Sequence, residues 1–218
     1  MVFRARSRRS TSLRYFWYVS GAKLDMLLGQ IGEPAWRRVT AELDLDVKLV
    51  GLKLTSPAAD RALAERSWGE KVAVVEECLR RRRGIGDLSV GRGYFAAELE
   101  MAWQPCDDNE TVLFCGCSGT LLLVLGGSIG NLLGHPPQPG QIGSHPYALS
   151  AALRGSGALG DIAGDVLAAE RAVHGTPRQL VRLLAVAIQR GPLPAGSPYS
   201  EYLLGTPLYV EAADETSA

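Results

Sequence analysis

The sequence predicts an α+β fold: one mainly antiparallel sheet of about six strands, with helices packed on one face. Three observations carry this expectation. Val39 to Leu49 alternates strictly, with Val39, Ala41, Leu43, Leu45, Val47 and Leu49 on one side and Thr40, Glu42, Asp44, Asp46 and Lys48 on the other. That is a strand with one wet face, as in antiparallel sheets. Gly93 to Trp103 alternates again, and two turn-separated apolar runs follow it, Thr111 to Cys117 and Thr120 to Gly127. Strands in such close succession make a meander. Segments of helical spacing lie between and after the strands.

Taken in order, Leu13 to Val19 (LRYFWYV) is rich in aromatic and β-branched residues and reads as the first strand. Ser20 stands where a helix cap is needed. Leu24, Leu27, Leu28 and Ile31 give Ala22 to Ile31 a helical apolar face, ended by Gly32 and Pro34. After Leu49 the alternation slips by one residue beside Gly51, to Val50, Leu52 and Leu54, which marks a β-bulge or bend. Ala58 to Arg83 reads as a helix with Trp68, Val72, Val75 and Leu79 as its stripe. Glu76 and Glu77 precede Arg80 and Arg81 by one helical turn, and Gly84 can end the helix.

The acidic turn Asp107 to Glu110 and the tight turn Ser118-Gly119 separate the three meander strands. Leu121 to Leu125 is too short to cross a membrane and fits a strand buried on both faces. Gly134 to His145 is a Pro/Gly loop that could cover the glycines before it. Helices are expected over Pro146 to Leu153, Asp161 to His174 and Pro177 to Arg190. The last has Thr176 as N-cap, Pro177 at the first helical position, Gly191 at its stop and Leu180, Leu184 and Ile188 as its face. The loop Pro192 to Pro198 leads to a last strand, Leu203 to Glu211, whose Pro207 suggests a sheet edge. The first strand and Leu121 to Leu125 are candidates for the middle of the sheet.

No linker divides the 218 residues into equal halves, so residues 13–218 read as one domain behind a disordered basic tail, residues 1–12. A formal net charge of zero argues against a general nucleic-acid binder. Ser7-Arg8-Arg9 has the form of a twin-arginine export signal. Arg14 and Lys23 interrupt the apolar stretch after it, leaving less than the roughly 7–15 residues such a signal needs. Cys78, Cys106, Cys115 and Cys117 form no disulfide framework, and reduced thiols imply the cytoplasm.

Three short stretches carry a resemblance. They are the aromatic opening with Val19-Ser20-Gly21-Ala22-Lys23-Leu24-Asp25, then Gly126-Gly127-Ser128-Ile129-Gly130-Asn131 with Gly134, and Leu204-Gly205-Thr206-Pro207-Leu208-Tyr209-Val210. Together the chain resembles an uncharacterised actinobacterial, Streptomyces-type family, a domain of unknown function. The resemblance implies a single domain and a bacterial cytoplasm, and brings no catalytic residues.

The candidate site is the glycine corner: Gly126, Gly127, Ser128, Gly130 and Asn131. Backbone N–H groups freed by glycine can cradle an anion, and Ser128 and Asn131 add polar side chains. The spacing is neither G-x-G-x-x-G nor a Walker loop. The expected function is therefore a module that binds or senses a small anionic ligand, without cofactor, metal or membrane and with nucleic acid disfavoured. One alternative is a hydrolase or transferase using His135 and His145, or Asp161 and Asp165, which fall four apart on a helix. Another is a protein that works through a protein partner, by its arginine tail or the Glu42, Asp44, Asp46 row. Cys115, Cys117, His135 and His145 are zinc-type ligands at a spacing that matches no zinc motif.

Overall fold

A computed structural model describes residues 14–31, 67–106, 110–133 and 162–213. Within them the chain runs β1 (Phe16–Val19), α1 (Gly21–Ile31), α2 (Trp68–Arg81), β2 (Ile85–Gly86), β3 (Gly93–Pro105), β4 (Thr111–Ser118), β5 (Leu121–Ser128), a short 3₁₀ turn (Ile129–Asn131), α3 (Ile162–Val173), β6 (Gln179–Pro192) and β7 (Glu201–Ala212). Val39 to Leu54, the loop Gly134 to His145, the helix expected over Pro146 to Leu153 and the basic tail lie outside the described residues.

The strands correct the expected architecture. They form no open sheet with helices on one face. β3, β4, β5, β7 and β6 close into a five-stranded barrel, and β1 and β2 are added outside the ring. The meander β3-β4-β5 is antiparallel, as its alternation requires. β6 returns to lie antiparallel beside β3, completing a Greek key. β7 then pairs antiparallel with β6 and parallel with β5, which closes the ring and makes the sheet mixed.

Closure depends on a segment whose periodicity misleads. Pro177 to Arg190 is not a helix: β6 occupies Gln179–Pro192. Val181, Leu183, Ala185 and Ala187 point into the barrel, while Leu184 packs outward under α1 and α2. A strand covered on both faces reads as a nearly continuous apolar run, and such a run contains helical spacing by default. The punctuation belongs to α3 instead. Gly175 takes a φ of +94°, and the Thr176 hydroxyl donates to the Val173 carbonyl, so both residues end the preceding helix.

Leu121 to Leu125 is buried on both faces, as its composition demands. Leu121, Leu123 and Leu125 fill the barrel and Leu122 and Val124 lie under α3. Each fully buried leucine contributes about 1.5–3 kcal/mol. Phe95, Met101, Phe114 and Leu183 take the remaining interior, so the barrel is a packed core rather than a ligand cavity. β1, expected near the middle, pairs along its length with β7 alone among the described strands, with one isolated Tyr18–Leu132 bridge on its other side.

Pro207 does not mark an edge either. β5 pairs with β7 up to Gly205 and β1 takes over at Tyr209, so Pro207 falls in the gap between them, beside a bulge in β7 itself where Leu208 is the extra residue against β6. Its missing N–H costs no ladder bond on that side.

α2 starts at Trp68, after Ser67 as its N-cap; residues 58–66 of the expected helix lie outside the described residues. Ser67 and Glu70 form a reciprocal capping box, an S-x-x-E signal passed over in favour of the longer periodic stretch. Its other end is as expected: Arg80 bonds to Glu76 and Glu77 at 2.6 and 2.8 Å. The left-handed residue there is Arg83, not Gly84.

Candidate functional site

The glycine corner is built by close packing. Gly126 and Gly127 are the penultimate residues of β5 before Ser128, and positive φ occurs at neither, nor at Gly130. A Cβ on Gly127 would stand 2.6 Å from Tyr18 Cζ, so the missing side chain makes room for that ring. Asn131 donates to the Tyr18 hydroxyl at 3.2 Å, and the ring meets Phe114 edge-on at 5.7 Å. Burial pushes the Tyr18 phenol above its ordinary range, against hydrogen bonds from Asn131, Ser128 and Ser20. Ser128 and Gly130 face solvent.

The third stretch joins the same region through Lys23. Its ammonium, in the first turn of α1, donates to Thr206 Oγ1 and to the Pro207 carbonyl at 3.2 Å. All three stretches that carry the resemblance thus meet where β1, the end of β5 and the gap in β7 come together. Burial lowers the Lys23 pKa to about 8. A lysine with a depressed folded pKa binds fewer protons folded than unfolded between that value and its free value near 10.5. Stability therefore rises with pH across this window. Urea melts at pH 7.5 and 9.5 should show the wild type gaining on Lys23→Met, by on the order of 1 kcal/mol after screening of this partly exposed group. Equal pH dependence in both chains would remove the desolvated amine.

A second region has more open space. A cleft of about 280 Å³ lies between the last two turns of α3, with Leu167, Glu170 and Arg171, and the β6–β7 loop, with Pro194, Pro198 and Tyr199. The loop is fixed before any ligand arrives. Ser197 N–H donates to Pro194 O at 3.1 Å, Gly196 takes a φ of +93°, and Tyr199 N–H donates to Ser197 Oγ at 3.1 Å. Ser200 is tied to Thr120 on the β4–β5 turn by N–H and by hydroxyl, both at 2.9 Å.

The Tyr199 hydroxyl donates to Glu170 at 3.3 Å, and His174 Nδ1 lies 3.9 Å from the same carboxylate. Burial, with Glu170 and Cys117 nearby, raises the Tyr199 phenol above its ordinary range. Arg178 approaches Cys117 Sγ at 3.7 Å and also bonds Tyr199. Neither Arg171 nor Arg178 makes an ion pair with a carboxylate among the described residues. Arg82, Arg83 and Arg92 make none there either, whereas Arg14, Arg80, Arg81, Arg182 and Arg190 do.

A model of a family of unknown function, DUF7019, matches residues 14–214. The chain belongs to this family. No curated protein and no solved structure matches it. The DUF7019 match takes in every strand and helix described above, including both the glycine corner and the cleft.

Only some of the other expected groups fall within the described residues of the DUF7019 fold. Asp165 stands in the first turn of α3, and Asp161, His135 and His145 lie outside the described residues. Cys115 is buried beneath α3, its thiol pushed up by desolvation, while Cys117 sits beside Arg178. Among the described residues no three His, Cys, Asp or Glu side chains converge as metal ligands, and no helix is long and apolar enough to cross a membrane. The cleft went unread in the sequence. Its available signal was Pro194-Ala195-Gly196-Ser197-Pro198-Tyr199 between two apolar runs, a hairpin connection once β6 is a strand.

Proposed function

We propose that this DUF7019 protein is a binding module for a small anionic ligand, seated in the cleft between α3 and the β6–β7 loop. The observation that carries this reading is Arg171, which lines the cleft with Tyr199 and makes no ion pair among the described residues, while Arg178, outside the lining, bonds Tyr199. An arginine without an ion-pair partner beside a concave, partly apolar surface favours an anion. The cleft volume of about 280 Å³ suits a small molecule. A polymer is disfavoured, because α3 covers the outward residues of β4 and β5, Leu113, Cys115, Leu122 and Val124. Five-stranded Greek-key barrels of the OB class receive ligands at the loop between their fourth and fifth strands, among other places. The cleft uses the loop in that position of the ring, an analogy of connectivity alone.

Thermal melts with acetate, benzoate, inorganic phosphate and adenosine monophosphate test the reading, since any ligand of the native state raises Tm. At least one anion should stabilise the wild type. Arg171→Gln should weaken its binding by about 1.5–3 kcal/mol, a factor of ten or more. Melting temperatures that ignore every anion, or that respond equally in Arg171→Gln, contradict it.

A further inference from the structure

We infer that Arg82, Arg83 and Arg92 form a docking surface for the phosphate backbone of a duplex nucleic acid, on residues other than those of the cleft. Two short segments bring them together. Arg82 and Arg83 follow Arg81, the last residue of α2, and lead into β2. Arg92 leads into β3. β2 and β3 run parallel, with Ile85 opposite Tyr94. Arg83 and Arg92 each stand two residues before that pair, so the two segments enter it side by side, about 4.8 Å apart at the pair itself.

The local charge is positive. Arg82, Arg83 and Arg92 are exposed and make no ion pair among the described residues. The neighbouring Arg80 and Arg81 are matched by Glu76 and Glu77. Asp87, in the turn between the two segments, accepts from Ser89 and has Arg190 as its cationic neighbour. The end of α2 carries about half a negative charge, which offsets less than one of the three arginines. The zero net charge of the chain is a sum over all of it, whereas docking follows the local field.

The backbone points to the same side chains. Arg83 takes a φ of +51°, a left-handed conformation that suits glycine and is costly for a long side chain, although Gly84 stands beside it. The Arg83 guanidinium makes no hydrogen bond or ring contact among the described residues that would offset this cost. Such an outlier at an exposed, unengaged side chain is grounds for a functional role.

The surroundings select the partner. The apolar residues of these segments pack inward: Leu88 and Val90 against the barrel core, Ile85 and Tyr94 under α1 and α2. A protein partner or a membrane would call for an exposed apolar anchor, and an unpaired base for an aromatic ring to stack on. A duplex asks only for arginine forks and open access to its phosphates. Access is present, because a Cβ on Gly91 or Gly93 would meet nothing within 4 Å.

Fluorescence anisotropy of the full chain with a labelled DNA duplex of about 20 base pairs, read from about 50 to 200 mM salt, tests the assignment. Each phosphate neutralised contributes about −0.9 to the slope of log K against log salt, so Arg82→Gln, Arg83→Gln and Arg92→Gln together should flatten the wild-type slope by about 2.7. At about 50 mM salt this triple variant should bind at least tenfold more weakly, and lysine at all three positions should recover most of the loss. Arg4, Arg6, Arg8 and Arg9 are common to all these chains, so the difference belongs to the three replaced residues. The three residues are exposed, so both triple variants should melt like the wild type. Arg171→Gln should bind the duplex as the wild type does. No duplex binding, equal slope and affinity in the glutamine variant, or an equal loss in Arg171→Gln overturns the docking surface. Polyglutamate or phosphatidylserine vesicles bound as tightly as the duplex at the same salt overturn the nucleic-acid assignment.

Discussion

Arg14→Met is expected to lower the stability of this chain by about 3–5 kcal/mol, the usual cost of removing one partner from a buried ion pair. Arg14 precedes β1 and reaches across to β7, donating to Glu211 from Nε at 2.5 Å and from Nη2 at 2.8 Å. Glu211 is buried, with a relative exposure of 2%. The guanidinium also lies 5.0 Å over the Phe16 ring and 5.1 Å over the Tyr209 ring, and 3.6 Å from Glu76 on α2. One side chain therefore fastens β1, β7 and α2 together. Without it the Glu211 carboxylate keeps, among the described residues, only Arg182, at 3.8 Å and half exposed. Urea denaturation reads the effect as a lower midpoint at unchanged m. Arg14→Met combined with Glu211→Leu should recover much of the loss, because the pair itself carries a desolvation cost. A loss below about 1 kcal/mol for Arg14→Met would place Glu211 in solvent instead.

The second large effect is a contrast within β6. Leu183→Ala should cost about 2–5 kcal/mol, whereas Leu180→Ala and Ile188→Ala should stay within about 0.5 kcal/mol. Leu183 is fully enclosed in the barrel, while Leu180 and Ile188 are 38% and 36% exposed. A helix over the same residues would reverse the order, since Leu180, Leu184 and Ile188 would form its buried stripe. Chemical melts of the three variants settle which period governs the segment.

That contrast also shows where sequence patterns stop carrying information. β3, β4 and β5 were legible because each is bounded by turn residues and Gly93 to Trp103 alternates cleanly. Leu121 to Leu125 was legible because five apolar residues in a row have few places to go. β6 was not, because helices α1 and α2 cover the outside of the barrel at Leu184 and erase the alternation that a wet face would leave. With β6 misread, the ring could not close, and an open sheet was the natural conclusion.

The site followed the same division. The density of glycine at residues 126–130 announced close approach, and close approach is found. The partner, Tyr18, comes from a strand far back in the chain, and no local pattern could name it. The cleft lay further out of reach. Glu170 and Arg171 look like ordinary residues of a helix end, and Tyr199 like the end of a loop. They meet only because β6 and β7 form a hairpin, tied to the β4–β5 turn through Ser200 and Thr120.

Closure of the barrel by β6 is the claim that supports both the core and the cleft, and backbone NMR of residues 179–192 tests it most directly. A strand in the ring should show extended Cα and Cβ shifts, with cross-strand contacts from Leu183 to Ala97 on one side and to Val210 on the other. Helical shifts through this segment, with contacts running from each residue to the third beyond it, would contradict the closed barrel.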